Sequence, residues 1–326
     1  MSVNTQYYPG LDILKYILSL FIVAAHTELF KEWPSIYNMN GHLIEIAIPV
    51  FFSVSSFLFY KKLLDTEKTQ RVLLHTLKRL VLFYLIWYAL MLPMTYERFF
   101  KVATMKEILY NATLSSTFNG YWFVKALIFN TVLLGFCKSA FKLILLSIVG
   151  LGLYLFFSFN YIYHFIHLSI SPYYSFFYHI GYFCMGAWMA RIFRPAFLGG
   201  VRLSKVLGLF LLMLFLLAMS FITDFEPVYR LLIPWIVIPM FLPLSCRYWG
   251  FVKSMRIMSI YYYMMQFMLI WIYNMVYPAF LVIDSPGYSF FDMSIIRFIL
   301  IVLVMTTISF WLMRLENKCP YVKYLH

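Results

Sequence analysis

The stretch LDILKYILSLFIVAAHT, residues 11–27, decides how the rest of the chain is read. It is an apolar run without a proline or glycine, yet it carries Lys15 and His26. A membrane-spanning helix takes about 20 mostly apolar residues. Lys15 and His26 stand 11 positions apart. At roughly 100° per residue that is close to three full turns, so both fall on one face, separated by a rise of about 16 Å. Ser19 and Ile22 lie between them on the same stripe. One helix face therefore sets a cation near one membrane surface and an imidazole near the other. A charge at the bilayer centre costs about 2.5 kcal/mol or more, so the pair needs a reason. Lys15 can snorkel to the surface and pair with Asp12 one turn earlier. His26 can be a packed hydrogen-bonding group. Otherwise both serve chemistry, and the helix alone leaves the choice open.

The composition extends this reading to the whole chain. Of the 326 residues, 63% are hydrophobic and 12% charged, and the mean hydropathy is +0.81. No single soluble core hides that much apolar surface, so lipid is the expected solvent. The expected fold is all-α and polytopic, with about ten transmembrane helices. The predicted spans are 11–29, 43–60, 80–96, 121–136, 142–158, 174–192, 206–222, 229–246, 258–276 and 295–314. Barrel strands would alternate polar with apolar residues, and open strands would leave backbone groups unpaired in hydrocarbon.

Basic residues set the expected orientation. With the N-terminus inside, the inward segments 61–79, 137–142, 191–205, 247–257 and the tail from 314 hold 18 Lys and Arg, and the outward ones hold 6. That bias predicts both termini in the cytoplasm, in a cell inner (plasma) membrane. The formal charge of +13 is spread over short loops rather than gathered in a tract, so nucleic acid is not an expected partner. Cys137, Cys184, Cys246 and Cys319 avoid the outward loops, so no disulfide framework is expected. The first apolar segment reads as a retained span rather than a cleaved signal. The basic segment TEKTQRVLLHTLKRL, residues 66–80, reads as a short amphipathic helix on the cytoplasmic surface, at about 66–79. No repeat or soluble domain is apparent, so one membrane domain covers residues 1–326.

Several polar residues fall at the outer level of the predicted spans. Glu45 sits near the outer end of span two and, through a short hairpin, can meet His26, fix its tautomer and stabilise the imidazolium. Its plain role is a carboxylate at the water interface. Glu28 is a rival, but on a continuing helix it points about 200° away from His26. Lys125, His179, Arg230 and Arg297 lie in outer thirds, either as interfacial anchors or as the lining of an outward polar cavity. Gln266 is mid-span and needs a partner on another helix.

The Lys15–His26 spacing, K-x10-H, resembles the first-helix pattern of the acyltransferase-3 family of integral membrane acyltransferases. Other segments are similar to that family in the expected order: IPVFFSVSSFLF at 48–59, LHTLKRLVLFYLIW at 74–87, YWFVKAL at 121–127, YFCMGAWMA around Gly186, and SIYYYMMQF at 259–267. The departures are Ser56 where the pattern has glycine, Thr76 where it has the first arginine of the basic loop, and Gln266 where it has a histidine.

The resemblance implies O-acyl transfer, of an acetyl group, from cytoplasmic acetyl-CoA to a hydroxyl of a surface glycan or its lipid-linked precursor. It implies His26 as general base, with Glu45 beside it, and no metal. Lys15, Lys78, Arg79 and Arg71 are the expected contacts of the CoA phosphates. Lys125 or a neighbouring group among His179, Arg230 and Arg297 would hold the oxyanion. Direct transfer and an acyl-imidazole route both stay open. A polysaccharide or small-molecule transporter would use the same buried charges as a relay or path, and a scaffold would use them only for packing.

Overall fold

A computed structural model describes residues 8–34, 36–37, 46–96, 104–105, 122–163, 176–193, 207–208, 210–215, 218, 226–244, 250–281, 294–316 and 318. Among these residues the chain is all helical. The helices are α1 (Pro9–His26), α2 (Ala47–Leu64), α3 (Thr69–Leu90), α4 (Leu92–Thr95), α5 (Trp122–Gly135), α6 (Ala140–Tyr163), α7 (Ile180–Ile192), α8 (Glu226–Phe241), α9 (Gly250–Leu281) and α10 (Ser294–Glu316). Glu45 and most of the connections between these helices lie outside the described residues. The predicted span 206–222 is described only in part, where 210–215 are helical.

Among the described residues five helices are long and apolar enough to cross a membrane: α1, α2, α3, the Ala140–Ser158 part of α6, and α10. Helices α6 and α10 leave much of their apolar surface uncovered, including Phe141, Ile148, Phe156, Leu303 and Trp311. Water would not tolerate such continuous apolar faces, and lipid does. The chain is thus a multi-pass membrane protein. Helices α5 and α7 have 14 and 13 residues, which at 1.5 Å per residue is only about 20 Å. Helix α7 is covered by protein along most of its length, from Ile180 through Ala190.

Local sequence explains several boundaries. Pro9 opens α1 and Asp12 lies in its first turn, where a missing N–H is harmless and a negative charge suits the helix dipole. No proline or glycine falls between Thr69 and Leu90, so the basic stretch and the apolar run after it share one continuous helix. Helix α9 has 32 residues and extends well past its predicted apolar centre on both sides. Pro234 and Pro239 are accommodated inside α8, as membrane helices allow when neighbours satisfy the freed carbonyls.

The chain packs as two compact units. The first comprises Met1–Leu11, Ile48–Tyr84 and Thr104–Arg247; the second comprises Asp12–Ala47, Leu85–Ala103 and Tyr248–His326. In the first, α7 packs against α5, α6 and α8. It meets α2 where Ser53 Oγ donates to the Tyr182 carbonyl at 3.0 Å. A Cβ on Gly186 would collide with the Ser53 carbonyl and Ser56 Oγ, so glycine is what lets these helices close. Tyr60 OH donates to the carbonyls of Cys137 (2.8 Å) and Lys138 (3.2 Å). Arg191 at the end of α7 reaches the same point, donating from Nε to Tyr60 OH at 3.2 Å and from Nη2 to the Lys138 carbonyl. Lys138 Nζ in turn donates to the Thr66 carbonyl at 2.5 Å. In the second unit α9 packs on α10, with Tyr262 OH and Thr306 Oγ1 sharing a hydrogen bond at 2.5 Å.

Candidate active site

The two residues that opened the sequence reading belong to the second unit, on α1. Lys15 Nζ lies 2.7 Å from Asp12 Oδ1, and both side chains are largely buried. The plain pairing expected for Lys15 is therefore present. Ser19 is fully buried and donates from Oγ to the Tyr16 carbonyl at 2.7 Å; Ile22 is nearly as covered. The stripe between Lys15 and His26 thus faces protein rather than lipid. Helix α9 supplies part of that cover: Tyr16 lies against Tyr262 with ring centroids 5.5 Å apart, and His26 lies against Phe267 at 4.5 Å. His26 itself is exposed.

The end of α1 has a specific geometry. The Glu28 amide bonds to the Ala25 carbonyl at 3.1 Å and the Leu29 amide to the Ala24 carbonyl at 3.0 Å. These two bonds are the Schellman pattern, in which the residue after the cap takes a left-handed conformation. Here that residue is Glu28, with φ 54°, rather than the usual glycine. His26 is consequently the last helical residue and Thr27 the cap. Helix α1 stops before Glu28, so the 200° separation expected on a continuing helix does not apply.

Glu28 pairs instead with Lys31 Nζ at 2.7 Å and with Arg297 Nη2 at 3.4 Å. Arg297 Nη2 also donates to the Thr27 carbonyl. The hydrogen bond from Lys31 is the main reason the Glu28 carboxyl is held below its usual range, with the Arg297 contacts adding to it against the opposing effect of burial. A second set of bonds lies alongside. The Ser294 amide donates to Glu32 Oε1 at 2.7 Å, Ser294 Oγ donates to Glu32 Oε2 at 2.5 Å, and the Phe30 amide donates to Ser294 Oγ at 2.8 Å. Glu32 thus caps the N-terminus of α10. Arg297, expected from sequence as an anchor or oxyanion partner, is engaged in joining α10 to the end of α1. Glu32 and Ser294 were not marked as site residues, because nothing local in the sequence signals a contact across some 260 positions.

The other candidates belong to the first unit. His179 is fully buried, its ring against Phe52 (4.4 Å, 24° between planes) and against Trp122 (5.0 Å, 25°). Lys125 is half-buried on α5, and Arg230 is buried on α8. Arg71, Lys78 and Arg79 are exposed on α3. Arg71 and Lys78 are seven residues apart, two turns along one face. Glu45, expected beside His26, lies outside the described residues. Gln266 is fully buried on α9; its Nε2 donates to the Tyr263 carbonyl at 3.0 Å, and its Oε1 has no partner among the described residues. No group of three or more His, Cys, Asp or Glu side chains gathers to hold a metal among the described residues.

Helical throughout the described residues and bearing helices apolar enough to cross lipid, the chain falls in the class of integral membrane proteins. The family model for the acyltransferase domain matches residues 8–314, nearly the whole chain, and the protein belongs to the acyltransferase-3 family. It is a membrane acyltransferase. No curated protein matches the chain, and no solved structure matches it.

Proposed function

We propose that the protein is an O-acetyltransferase of the cell inner (plasma) membrane. It moves an acetyl group from cytoplasmic acetyl-CoA to a hydroxyl of a surface glycan or of its lipid-linked precursor. Ten spans with both termini in the cytoplasm fit this role and the distribution of basic residues. The observation that carries the reading is the stripe on α1. A cation at Lys15 and an exposed imidazole at His26 bracket Ser19 and Ile22, which are covered by protein.

In this reading the neutral His26 imidazole takes the acceptor hydroxyl's proton as the oxygen attacks the thioester carbonyl. Collapse of the adduct breaks the C–S bond, and CoA leaves as the thiol with the proton that His26 returns. A transient acyl-imidazole reaches the same products in two steps. Lys15 marks the inner end of the path, and the exposed Arg71, Lys78 and Arg79 attract the donor's phosphates by charge. Glu45 is proposed to orient the imidazole.

The test uses full-length protein in membranes given radiolabelled acetyl-CoA, with label followed into the glycan fraction. His26→Ala abolishes transfer while expression and thermal stability stay at the wild-type level. Full glycan acetylation by His26→Ala would overturn the mechanism. Movement of intact glycan across liposomes without acetylation would replace it with a transporter.

A further inference from the structure

The contacts that follow His26 do more than end a helix. The Thr27 carbonyl has passed out of the helical ladder and accepts from Arg297, a residue of the first turn of α10. The next residue, Glu28, holds a left-handed conformation that an L side chain adopts only at a cost, and its carboxylate reaches the same guanidinium. Phe30 is also left-handed, with φ 68°, and its amide bonds to Ser294. Glu32 closes the loop on Ser294 through both oxygens. A glycine at position 28 would make the same turn without strain, so the strain accompanies a side chain that binds Arg297. The imidazole lies against Phe267 of α9, and the next two residues, Thr27 and Glu28, are held from α10.

From this we infer that Arg297, through the Thr27 carbonyl and the Glu28 carboxylate, is a positioning residue for His26, with Glu32 and Ser294 as a second latch on the same turn. The inference rests on His26 being the general base. Arg297 is engaged with the Thr27 carbonyl and the Glu28 carboxylate. Its role is to hold the last turn of α1 so that the imidazole meets the acceptor hydroxyl in line. Misplacement by a fraction of an ångström lowers turnover without weakening donor binding.

The experiment compares wild type with Arg297→Ala, Arg297→Lys, Glu28→Gly and His26→Ala, each as full-length protein in membranes. Transfer from radiolabelled acetyl-CoA into the glycan fraction is measured as kcat and as KM for acetyl-CoA. Arg297→Ala lowers kcat about tenfold with KM within about twofold, and Arg297→Lys recovers much of the loss. Glu28→Gly keeps the backbone turn, because glycine favours that conformation, so its loss of kcat reports the carboxylate and not a misfolded cap. The positioning role is overturned if Arg297→Ala and Glu28→Gly both retain wild-type kcat, or if the whole loss falls on KM, while His26→Ala is inactive. If His26→Ala itself transfers at the wild-type rate, the general-base reading falls first and the positioning role with it.

Discussion

Gly186 of α7 lies against Ser56 and the Ser53 carbonyl of α2, so closely that the contact leaves no room for a β-carbon. The two positions were separate motifs in the sequence. In the structure they are the two sides of one helix crossing. Small residues permit such approach in membranes, where packing and interhelical hydrogen bonds replace the hydrophobic effect as the force between helices. Ser56, standing where the family pattern has glycine, fits because its hydroxyl turns back to the Ser53 carbonyl at 3.1 Å.

Gly186→Ala therefore destabilises the protein despite alanine's better helix propensity. Propensity favours alanine by about 1 kcal/mol, and overpacking costs about 1–3 kcal/mol. Since the obstruction includes backbone, the balance is a net loss. A fall in the melting temperature of the detergent-purified protein checks this, and Ser56→Gly in the same background recovers part of it. An unchanged or higher melting temperature for Gly186→Ala would contradict the crossing described.

Asp12 and Lys15 form a largely buried pair at 2.7 Å. Removing one partner leaves the other charged and unmatched, which costs about 3 kcal/mol, whereas replacing both with apolar residues is close to neutral. Asp12→Leu is thus expected to reduce folded yield sharply and Asp12→Leu with Lys15→Met to restore it. If Lys15 also serves the donor, the stable double variant shows a raised KM for acetyl-CoA. A wild-type KM would leave Lys15 as a structural partner only.

The turn after α1 should be sensitive to acid. The Glu28 carboxyl is held below its usual range by Lys31 first and then Arg297. Glu32 is also held below it, the hydrogen bonds from Ser294 outweighing burial. A carboxyl whose folded pKa is depressed contributes stability that is complete above its unfolded value and is lost as pH falls through the folded value. Hydrogen exchange at the Leu29 and Ser294 amides, corrected for its intrinsic pH dependence, should show protection at neutral pH that declines once pH drops below the ordinary carboxylate range. Glu32→Gln should lose the acid step at Ser294. Protection that rises with acid would reverse the assignment.

Arg71, Lys78 and Arg79 are exposed cations on α3. If they attract phosphate, Lys78→Ala combined with Arg79→Ala weakens acetyl-CoA binding. The loss is greatest at low salt and shrinks toward 0.15 M and above, where screening over roughly 8 Å already weakens exposed charge interactions. Titration of acetyl-CoA at two ionic strengths separates this from a general loss of fold, which would not shrink with salt.

The all-helical membrane class was legible because long apolar runs are a local signal. The stripe of Lys15, Ser19, Ile22 and His26 follows from helical geometry alone, and the middle of that stripe is buried against protein. The end of α1 was not legible. Glycine is the usual mark of a left-handed helix cap, and Glu28 conceals it, so the span was read on to residue 29. The role of Arg297 was hidden for a different reason: its partners Thr27 and Glu28 lie some 270 positions away. Helix α7 starts at Ile180, after a turn at 176–179 and later than its predicted span, and protein covers most of it.

The joint at Tyr60 has a consequence for membrane topology. Its hydroxyl binds the turn at Cys137 and Lys138, Arg191 converges on the same atoms, and Lys138 reaches Thr66. Segments that touch in this way share one side of the bilayer. The polypeptide must therefore make an even number of crossings between Thr66 and Cys137, and again between Lys138 and Arg191. Compartment reporters fused at these three places have to agree with one another, whatever path the backbone takes through residues 97–121 and 164–175.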